Sequence, residues 1–394
     1  MTIWTIISII NILLWLFMAA NVCYILFFAI TSLLPKPSDN PRPAASSDPL
    51  PSFLVLFPAY HEDAVIIHSI ETFLKQDYPN THYQVAVISD HMNAETNAHL
   101  AQLPILLLQP TFEKSSKAKA LQYAIEKTKH FDYVVILDAD NVVTSDFLTK
   151  LSRVANASEA IQCHRTAKNA DNSIAALDGI SEEINNSIFR CGHNRIGMSS
   201  ALIGSGMCFN YQWFKENVNQ LDSAVEDREL EALLLKQRIF IRYAEDIYVM
   251  DEKVSNGDNF QRQRLRWMTG QVQAFFRMLP YIPQAIITCN INYIDKTIQQ
   301  TLIPRSILLI LVPLFTILSL IFFHFSLTTC LWTLILVILI TAIFIAIPSQ
   351  LRNKALLSKA LSFPLLTWRM TKNLCHINIG SKEFLHTDHE NKSK

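Results

Sequence analysis

Three long apolar runs without a charged residue constrain this 394-residue chain more than any other feature. Residues 3–34, 306–323 and 327–347 contain no Asp, Glu, Lys, Arg or His. A helix needs roughly 20 apolar residues to cross the hydrocarbon core of a bilayer, and each run is long enough. The composition agrees, because 50% of the residues are hydrophobic and only 17% are charged. The sequence therefore predicts three membrane-spanning helices.

The first run has a second interpretation, a cleaved signal peptide, which three features oppose. Its apolar core is too long, no basic residue precedes it, and no small-residue cleavage site follows it cleanly. Lys36 follows this run, Arg305 precedes the second and Arg352 follows the third. Because cytoplasmic loops are rich in Lys and Arg, residues 36–300 and 350–394 are predicted to be cytoplasmic, with the chain in a plasma membrane or cell inner membrane.

Composition divides the remainder of the chain into segments. A Pro- and Ser-rich stretch follows the first run and is typical of a linker. Seven cysteines without CxxC spacing favour a reduced, structural role. The balance of 34 basic and 34 acidic residues gives no reason to expect nucleic-acid binding. We predict an anchor (1–35), a linker (36–52), a cytoplasmic domain (53–258), amphipathic interface helices (259–300), two spans (301–348) and a cytoplasmic tail (349–394).

The cytoplasmic domain alternates strand-like and helix-like patterns. Near-continuous apolar strands separated by helical spacing predict an α/β fold, with a parallel sheet covered on both faces. The stretch 259–282 mixes Arg, Trp and Phe, which suits either a membrane surface or an ordinary amphipathic helix packed on the domain. Strands are predicted at 52–60, 83–90, 104–109, 132–140, 160–165, 201–210 and 240–250, and further helices at 62–75, 114–130, 172–196 and 227–237.

The apolar strand at 133–137 ends on two carboxylates, Asp138 and Asp140. Residues i and i+2 of an extended chain point to the same side, and ligand crevices of α/β sheets form at the carboxyl ends of strands. Two neighbouring anions repel each other unless a cation lies between them or one is protonated. The pattern favours a divalent metal site, with a simple turn or helix cap as the alternative.

Other charged residues fall where they could join this site. Asp90 ends the second strand, so its carboxylate is expected at the same edge of the sheet. Lys117 and Lys119 open the helix after the third strand, near where an anion could bind. Glu226 and Asp227 begin a predicted helix, although acidic residues in that position also complement the helix dipole.

The order of these motifs resembles that of the membrane-bound family 2 glycosyltransferases, the group that holds cellulose, chitin and hyaluronan synthases. The combination of DxD, an acidic pair and QxxRW is highly specific, whereas an Arg-Trp pair alone would indicate only a membrane-interface anchor. The resemblance covers about 53–280. Its motifs are FPAYHE (57–62), VISDH (87–91), KSSKAKAL (114–121), LDAD (137–140), GSGMCF (204–209), VED (225–227), QRLRW (263–267) and, in the tail, EFLHTDHE (383–390).

The resemblance implies a glycosyltransferase A-type fold, a mixed Rossmann-like α/β sheet, and a nucleotide-sugar donor. In the pattern of the family, Asp138 and Asp140 bind the donor diphosphate and a Mg or Mn ion, and Asp140 is the stronger metal candidate. Asp227, beside Glu226, would be the general base. Substrate-binding roles are implied for Ala59, Tyr60 and Glu62 at the nucleoside, Asp90 at the base, Lys119 and Asp138 at the anion, and Gln263, Arg266 and Trp267 at the donor and acceptor.

The chemistry of the reaction agrees with these roles. A metal that bridges the phosphates stabilises the leaving diphosphate, and a guanidinium can pair with a phosphate through two hydrogen bonds. A hydroxyl acceptor is a poor nucleophile at neutral pH, so a carboxylate must take its proton. One base opposite the leaving group predicts inversion of the anomeric centre. His61 and His91 depart from the family pattern at base recognition, and three spans are few for a polymer channel.

The predicted function is an inverting, metal-dependent transfer of a sugar, expected to come from a UDP-sugar, to a glycan or lipid-linked acceptor in cell-surface polysaccharide synthesis. Transfer to a polyprenyl phosphate is the main alternative, and a non-catalytic subunit of an envelope assembly is a weaker one. Other expected partners are membrane lipid, a second copy of the chain and an export protein. A nucleotidyltransferase would need a Gly-rich loop after the first strand, and a transporter would need more ionisable residues in its spans than terminal Arg305.

Overall fold

A sheet of eight strands lies at the centre of the domain between the apolar runs. The computed structural model describes residues 3–37, 49–168, 173–253 and 257–352, so most of the predicted linker and of the tail, including EFLHTDHE, lies outside the described residues. The strands are β1 (Phe53–Tyr60), β2 (Tyr83–Asp90), β3 (Leu106–Leu108), β4 (Tyr133–Ile136), β5 (Val142–Val143), β6 (Ala160–Ala167), β7 (Met207–Asn210) and β8 (Ile241–Asp251). Across the sheet they follow the order β3-β2-β1-β4-β7-β6-β8-β5.

The sheet is mixed, as the family resemblance implied, whereas strand patterning alone predicted a parallel sheet. β1 pairs in parallel with β2 and β4, and β2 pairs in parallel with β3. β7 is antiparallel to both of its neighbours, β4 and β6. The predicted start of β7 at residue 201 is wrong, because Gly204 and Gly206 adopt φ values of 76° and 64°, which interrupt an extended chain before Met207.

Helices cover both faces of the sheet, and one predicted helix differs from expectation. The segment predicted as one polar helix at 172–196 is an α-helix, a π-helical turn at Asn186–Gly192 and a short α-helix. The helices are α1 (Ile3–Thr31), α2 (Ile66–Phe73), α3 (Ala94–Leu100), α4 (Lys117–Lys127), α5 (Phe147–Ala155), α6 (Ser173–Asn185), α7 (His193–Arg195), α8 (Tyr211–Asn217), α9 (Glu226–Lys236), α10 (Gly257–Met278), α11 (Ile282–Ile287), α12 (Ile291–Gln299), α13 (Arg305–Phe323) and α14 (Leu327–Ala346).

Alternate residues of the central strands enter two separate hydrophobic cores. In β1, Leu54 and Leu56 pack on one face of the sheet, and Phe53, Val55 and Phe57 pack on the other. All five side chains are fully buried. Because both faces are covered, the strand reads as a continuous apolar run and not as an alternation of apolar and polar residues.

Three helices, α1, α13 and α14, are long and apolar enough to cross a membrane. They form a third hydrophobic cluster around the fully buried Trp332. This cluster also contains Ile184 of α6 and Ile188 of the π-helical turn, so the segment predicted to be polar packs against the apolar helices. The Asn21 Oδ1 atom of α1 accepts a hydrogen bond from the Ile303 N–H at 2.8 Å, just before α13. The sheet domain and the apolar helices therefore share a packed boundary.

Gly192, the last residue of the π-helical turn, provides a test of this boundary. A Cβ atom at this position would collide with the Phe28 carbonyl oxygen of α1 and approach Thr31 Oγ1 to 3.0 Å. We expect Gly192→Ala to lower the melting temperature of the detergent-purified protein, because overpacking a close backbone contact costs about 1–3 kcal/mol. Exposed Lys215→Ala is the control. Equal melting of Gly192→Ala and the wild type would contradict the close contact between α1 and the turn.

Candidate active site

A cavity of about 1020 Å³ lies at the carboxyl ends of β1 and β2, beside the turn that follows β4. Ligand crevices of α/β sheets form at this edge. All of the residues for which the resemblance implied a catalytic, substrate-binding or metal role, except Lys119, line this cavity. They are Ala59, Tyr60, Glu62, Asp90, Asp138, Asp140, Glu226, Asp227, Gln263, Arg266 and Trp267.

Lys119, for which the resemblance implied a role at the donor anion, does not line the cavity. It is exposed on α4, and its ammonium donates to the Lys114 carbonyl at 2.8 Å. Lys117, two residues earlier, lines the cavity in its place. Ser116 caps this helix by accepting from the Lys119 N–H, so the first helical turn directs Lys117 and Lys119 to different sides. Sequence spacing alone did not distinguish these two lysines.

Two neighbouring strand ends form one side of the cavity. In the parallel register, Tyr60 of β1 lies opposite Asp90 of β2. Each strand is followed by a histidine with a left-handed backbone, His61 at φ 55° and His91 at φ 57°. Asp90 is buried, and its Oδ1 lies 2.6 Å from His91 Nδ1. The histidines that depart from the family pattern are thus the residues at which both strands turn away from the sheet.

The DxD carboxylates lie on a turn, and the predicted extension of the strand through them is wrong. β4 ends at Ile136, and the Asn141 N–H closes a turn on the Asp138 carbonyl at 3.0 Å. The Asp140 carboxylate accepts hydrogen bonds from Asn141 Nδ2 at 3.0 Å and from the Glu252 N–H at 2.9 Å. Alternation along an extended strand therefore does not explain why Asp138 and Asp140 face the same way, but both residues line the cavity.

The Lys117 ammonium connects three parts of the site. It lies 2.6 Å from Asp138 Oδ1, 2.6 Å from the Gly204 carbonyl oxygen and 3.3 Å from Glu226 Oε1. Gly204 has a left-handed φ of 76°, and a Cβ there would lie 3.7 Å from Asp227 Oδ2. A side chain at Gly204 would consequently narrow the space beside the proposed base.

The pKa values of the two acidic partners of Lys117 are shifted in opposite directions, because burial outweighs the attraction of Lys117 at Glu226 but not at Asp138. Burial alone would lower the pKa of Lys117, but Asp138 and Glu226 outweigh burial and raise it. Burial likewise opposes ionisation of Asp138, yet the Lys117 charge and hydrogen bond hold the pKa of Asp138 below its ordinary value. The pKa of Glu226 is raised, first by burial and then by the nearby Asp227 charge, against the attraction of Lys117.

Asp227 stands on the first turn of α9, where its Oδ1 accepts from the Arg228 N–H at 2.8 Å. Val225, the residue just before α9, packs against Gly270 of α10 so closely that a Cβ at Gly270 would collide with it. The helix that carries QRLRW therefore sets the position of the chain just before Asp227. Glu226 and Asp227 thus begin helix α9, where acidic residues complement the helix dipole, and both also line the cavity.

The QRLRW segment of α10 places Gln263, Arg266 and Trp267 on the cavity wall. Arg264 pairs with Asp178 of α6, and its guanidinium carbon lies 4.4 Å from the centre of the Trp267 ring. This cation–π contact fixes one face of the indole. Gln263 Oε1 is buried and has no hydrogen-bond donor in the described part of the chain.

Sequence reasoning missed Arg165, which lies at the centre of the site. The side chain is 8% exposed, pairs with Asp251 Oδ2 at 2.9 Å and donates to the Ile203 carbonyl at 3.1 Å. Arg165 and Asp251 both line the cavity. The sequence feature that could have identified Arg165 is its place as a charged residue at the end of an apolar strand, β6, as Asp90 is in β2.

The cavity continues from the sheet edge to the apolar helices. Gln299 and Gln300 of the α12 region line its middle, and the described ends of α13 and α14 line its far side. The apolar lining residues there are Leu309, Ile340, Ile343, Phe344 and Ile347. The same cavity is therefore lined by acidic and basic groups near the sheet edge and by apolar side chains of the candidate membrane-spanning helices.

Asp138 and Asp140 fit a Mg or Mn ion bound together with a diphosphate. The described residues contain no group of three or more His, Cys, Asp or Glu side chains that could hold a metal. Mg sites that act on phosphates commonly use one or two carboxylates, with phosphate and water oxygens completing the octahedron. Two aspartates on one turn meet that requirement, and each carboxylate has lone pairs beyond those that its present partners use.

Comparison with known proteins identifies the family. Residues 51–270, more than half of the chain, match the model of the family described as "Glycosyltransferase like family 2". The chain belongs to this family. It is similar to the Beta-monoglucosyldiacylglycerol synthases of Trichormus variabilis and Nostoc sp., with 24% identity over 241 residues, which cover 57% of this glycosyltransferase and 50% of each relative. The chain thus spans about half the length of these curated relatives.

A solved structure supports the assignment of the fold. The mannosyltransferase PcManGT from Pyrobaculum calidifontis, in complex with GDP-Man and Mn²⁺, superposes with a TM-score of 0.52 at 17% identity and covers 91% of this chain and 94% of that chain. The glycosyltransferase A-type fold implied by the motifs is confirmed. The narrower resemblance to cellulose, chitin and hyaluronan synthases stays a prediction.

Glu226→Gln is expected to stabilise this glycosyltransferase. The pKa of Glu226 in the folded protein lies above its ordinary value of 4.5. Ionised Glu226 therefore lowers the stability of the fold at pH values above the folded pKa, and this loss is absent below pH 4.5. The variant should melt about 2–4 °C above the wild type at pH 8, the shift for about 1 kcal/mol in a domain of this size.

Thermal unfolding in detergent between pH 4 and 8 measures this difference, which should shrink as the pH falls. A variant that is less stable than the wild type at pH 8 would show that attraction to Lys117 outweighs burial of Glu226.

Proposed function

We propose that this chain is an inverting, metal-dependent glycosyltransferase that acts at the cytoplasmic face of a plasma or inner membrane. It would move a sugar from a nucleotide-diphosphate sugar, expected to be a UDP-sugar, to a glycan or lipid-linked acceptor. The observation that carries the proposal is a single cavity lined by the DxD turn, by Asp227, by the QRLRW helix and by the apolar helices.

The donor is proposed to bind along the strand ends. Ala59, Tyr60 and Asp90 would hold the nucleoside, and the DxD turn would hold the diphosphate. These aspartates would hold a Mg or Mn ion, whose positive charge would stabilise the departing diphosphate. Arg266, whose charge helps to lower the pKa of Asp138, is close enough to this turn to pair with a phosphate through two parallel hydrogen bonds.

Asp227 is proposed to remove the proton of the acceptor hydroxyl. As the oxygen bonds to the anomeric carbon, the bond to the diphosphate breaks and the proton passes to the Asp227 carboxylate. Attack from the side opposite to the leaving group inverts the anomeric centre, so an α-linked donor gives a β-linked product. Trp267 would stack against a sugar ring, with its indole fixed by Arg264.

A lipid-linked acceptor is favoured over a soluble glycan by two observations. The cavity reaches α13 and α14, and the two relatives from Trichormus variabilis and Nostoc sp. are named as synthases of a glucosyldiacylglycerol. Use of such a product in cell-surface polysaccharide synthesis remains a proposal. Direct transfer to a polyprenyl phosphate is the second candidate, since the same apolar lining would suit its chain.

Asp227→Asn is expected to lower the turnover number for sugar transfer by about 10²–10⁴-fold, the usual contribution of a general base. Nucleotide binding should change little, because Asn keeps the size of the side chain. Transfer and nucleoside diphosphate release are measured in nanodiscs with a panel of UDP- and GDP-sugars. Exposed Asp222→Asn is the matched control. Wild-type turnover in Asp227→Asn would show that another group is the base.

Asp140→Ala is expected to weaken nucleoside diphosphate binding by about tenfold or more when Mg or Mn is present. With a chelator, the variant and the wild type should bind equally, because the missing carboxylate acts through the ion. Isothermal titration with UDP and GDP measures both conditions, and Asp146→Ala on the surface is the control. An equal loss with and without metal would contradict the metal role of Asp140.

A further inference from the structure

Arg305 is a partly buried cation at the boundary between the cytoplasmic domain and α13. It begins that helix and lines the same cavity as Asp227. Its Nη2 group donates to the Ser181 carbonyl at 3.0 Å and to Asn185 Oδ1 at 2.7 Å, and both acceptors are uncharged. Its Nη1 atom is buried without a hydrogen-bond acceptor among the residues that the structure describes.

The neighbouring arginines have carboxylate partners, whereas Arg305 does not. Arg190 pairs with Glu182 at 3.1 Å, and Arg264 pairs with Asp178. Burial opposes ionisation of Glu182, but Arg190 and the other nearby cations outweigh it and lower its pKa to about 2, so this acid is ionised and already paired. Over the described ranges, Arg305 forms no ion pair with an acidic side chain. Within the described part of the chain, the positive charge of Arg305 is therefore not neutralised by an ion pair of its own.

The position of Arg305 in the fold indicates that its charge is directed to a lipid. A buried cation is costly unless it has a partner, and ionisable residues in membrane spans commonly mark a ligand or a path. Arg305 begins the second candidate span, and its guanidinium donates to Asn185 at the end of α6. Beyond it the cavity is lined by Leu309, Ile343 and Phe344.

We propose that Arg305 binds the phosphate of a lipid-linked acceptor, whose apolar chain occupies the end of the cavity between α13 and α14. This inference rests on the proposed function and deepens it: the reacting hydroxyl belongs at Asp227, and the phosphate is a recognition group. A neutral lipid would leave the Arg305 charge uncompensated. The donor diphosphate has other cations, since Lys117, Arg165 and Arg266 act on the DxD turn.

The test compares two lipids that differ only in phosphate, dioleoyl phosphatidic acid and dioleoylglycerol. Native mass spectrometry measures their binding to the detergent-purified full chain without donor. The wild type should bind the phosphatidic acid at least about tenfold more tightly, because hydrogen bonds between charged groups are the stronger kind. Arg305→Gln should reduce this ratio to about one, and Arg305→Lys should keep part of it. Exposed Arg153→Gln on α5 is the matched control for loss of a positive charge.

Equal binding of the two lipids by the wild type would overturn the proposal, and so would an equal loss of lipid selectivity in Arg153→Gln. Displacement of phosphatidic acid by millimolar inorganic phosphate would also overturn it. The same holds if Arg305→Gln loses nucleotide binding but keeps its lipid selectivity. If Arg305→Gln fails to fold, the wild-type ratio and Arg305→Lys still decide. Failure of the proposed function is seen separately, as no sugar transfer from any donor by a wild-type protein that still selects the phosphatidic acid.

Discussion

The Lys117 ammonium is the interaction on which the arrangement of the active site depends. It joins the DxD turn after β4, the loop before β7 and the first residue of α9, which are distant in sequence and would otherwise bring like charges together. A buried ammonium with several oxygen partners keeps its proton, as the raised pKa of Lys117 indicates. Because Asp227 follows Glu226 directly, the same contact sets the distance between the proposed base and the proposed metal site.

Much of the fold could be predicted, since β1 and β2 match their apolar runs and all three spans were recognised. Errors occurred where tertiary contacts decide local structure. The strand at β4 ends early because Asn141 turns the chain back onto Asp138, and no periodicity shows this. Motif order located much of the charged wall at the sheet edge, but Arg165 and Arg305 carry no motif of their own, and their roles depend on neighbours that only the folded chain supplies.

The boundary between the domain and the apolar helices is held by a buried polar network. Tyr24 of α1 donates to Asp295 Oδ1 at 2.7 Å and lies 3.0 Å from His193 Nε2. Phe28 stacks on the His193 ring with 3.5 Å between the ring centres. The π-helical turn just before His193 supplies this geometry, and such turns often accompany functional positions. A polar network of this kind fixes how α1 meets the domain more specifically than apolar packing can.

The charges around the DxD turn also explain why a divalent cation suits this site. Lys117 faces three carboxylates, those of Asp138, Glu226 and Asp227, and Asp140 lies on the same turn. Arg165 is already paired with Asp251, so Lys117 and Arg266 cannot neutralise these four acids, and an approaching diphosphate would meet a net negative surface. A cation of charge two would remove that repulsion. Burial and then the neighbouring Asp227 charge raise the pKa of Glu226, so ionised Glu226 lowers stability at the site proposed for binding and catalysis.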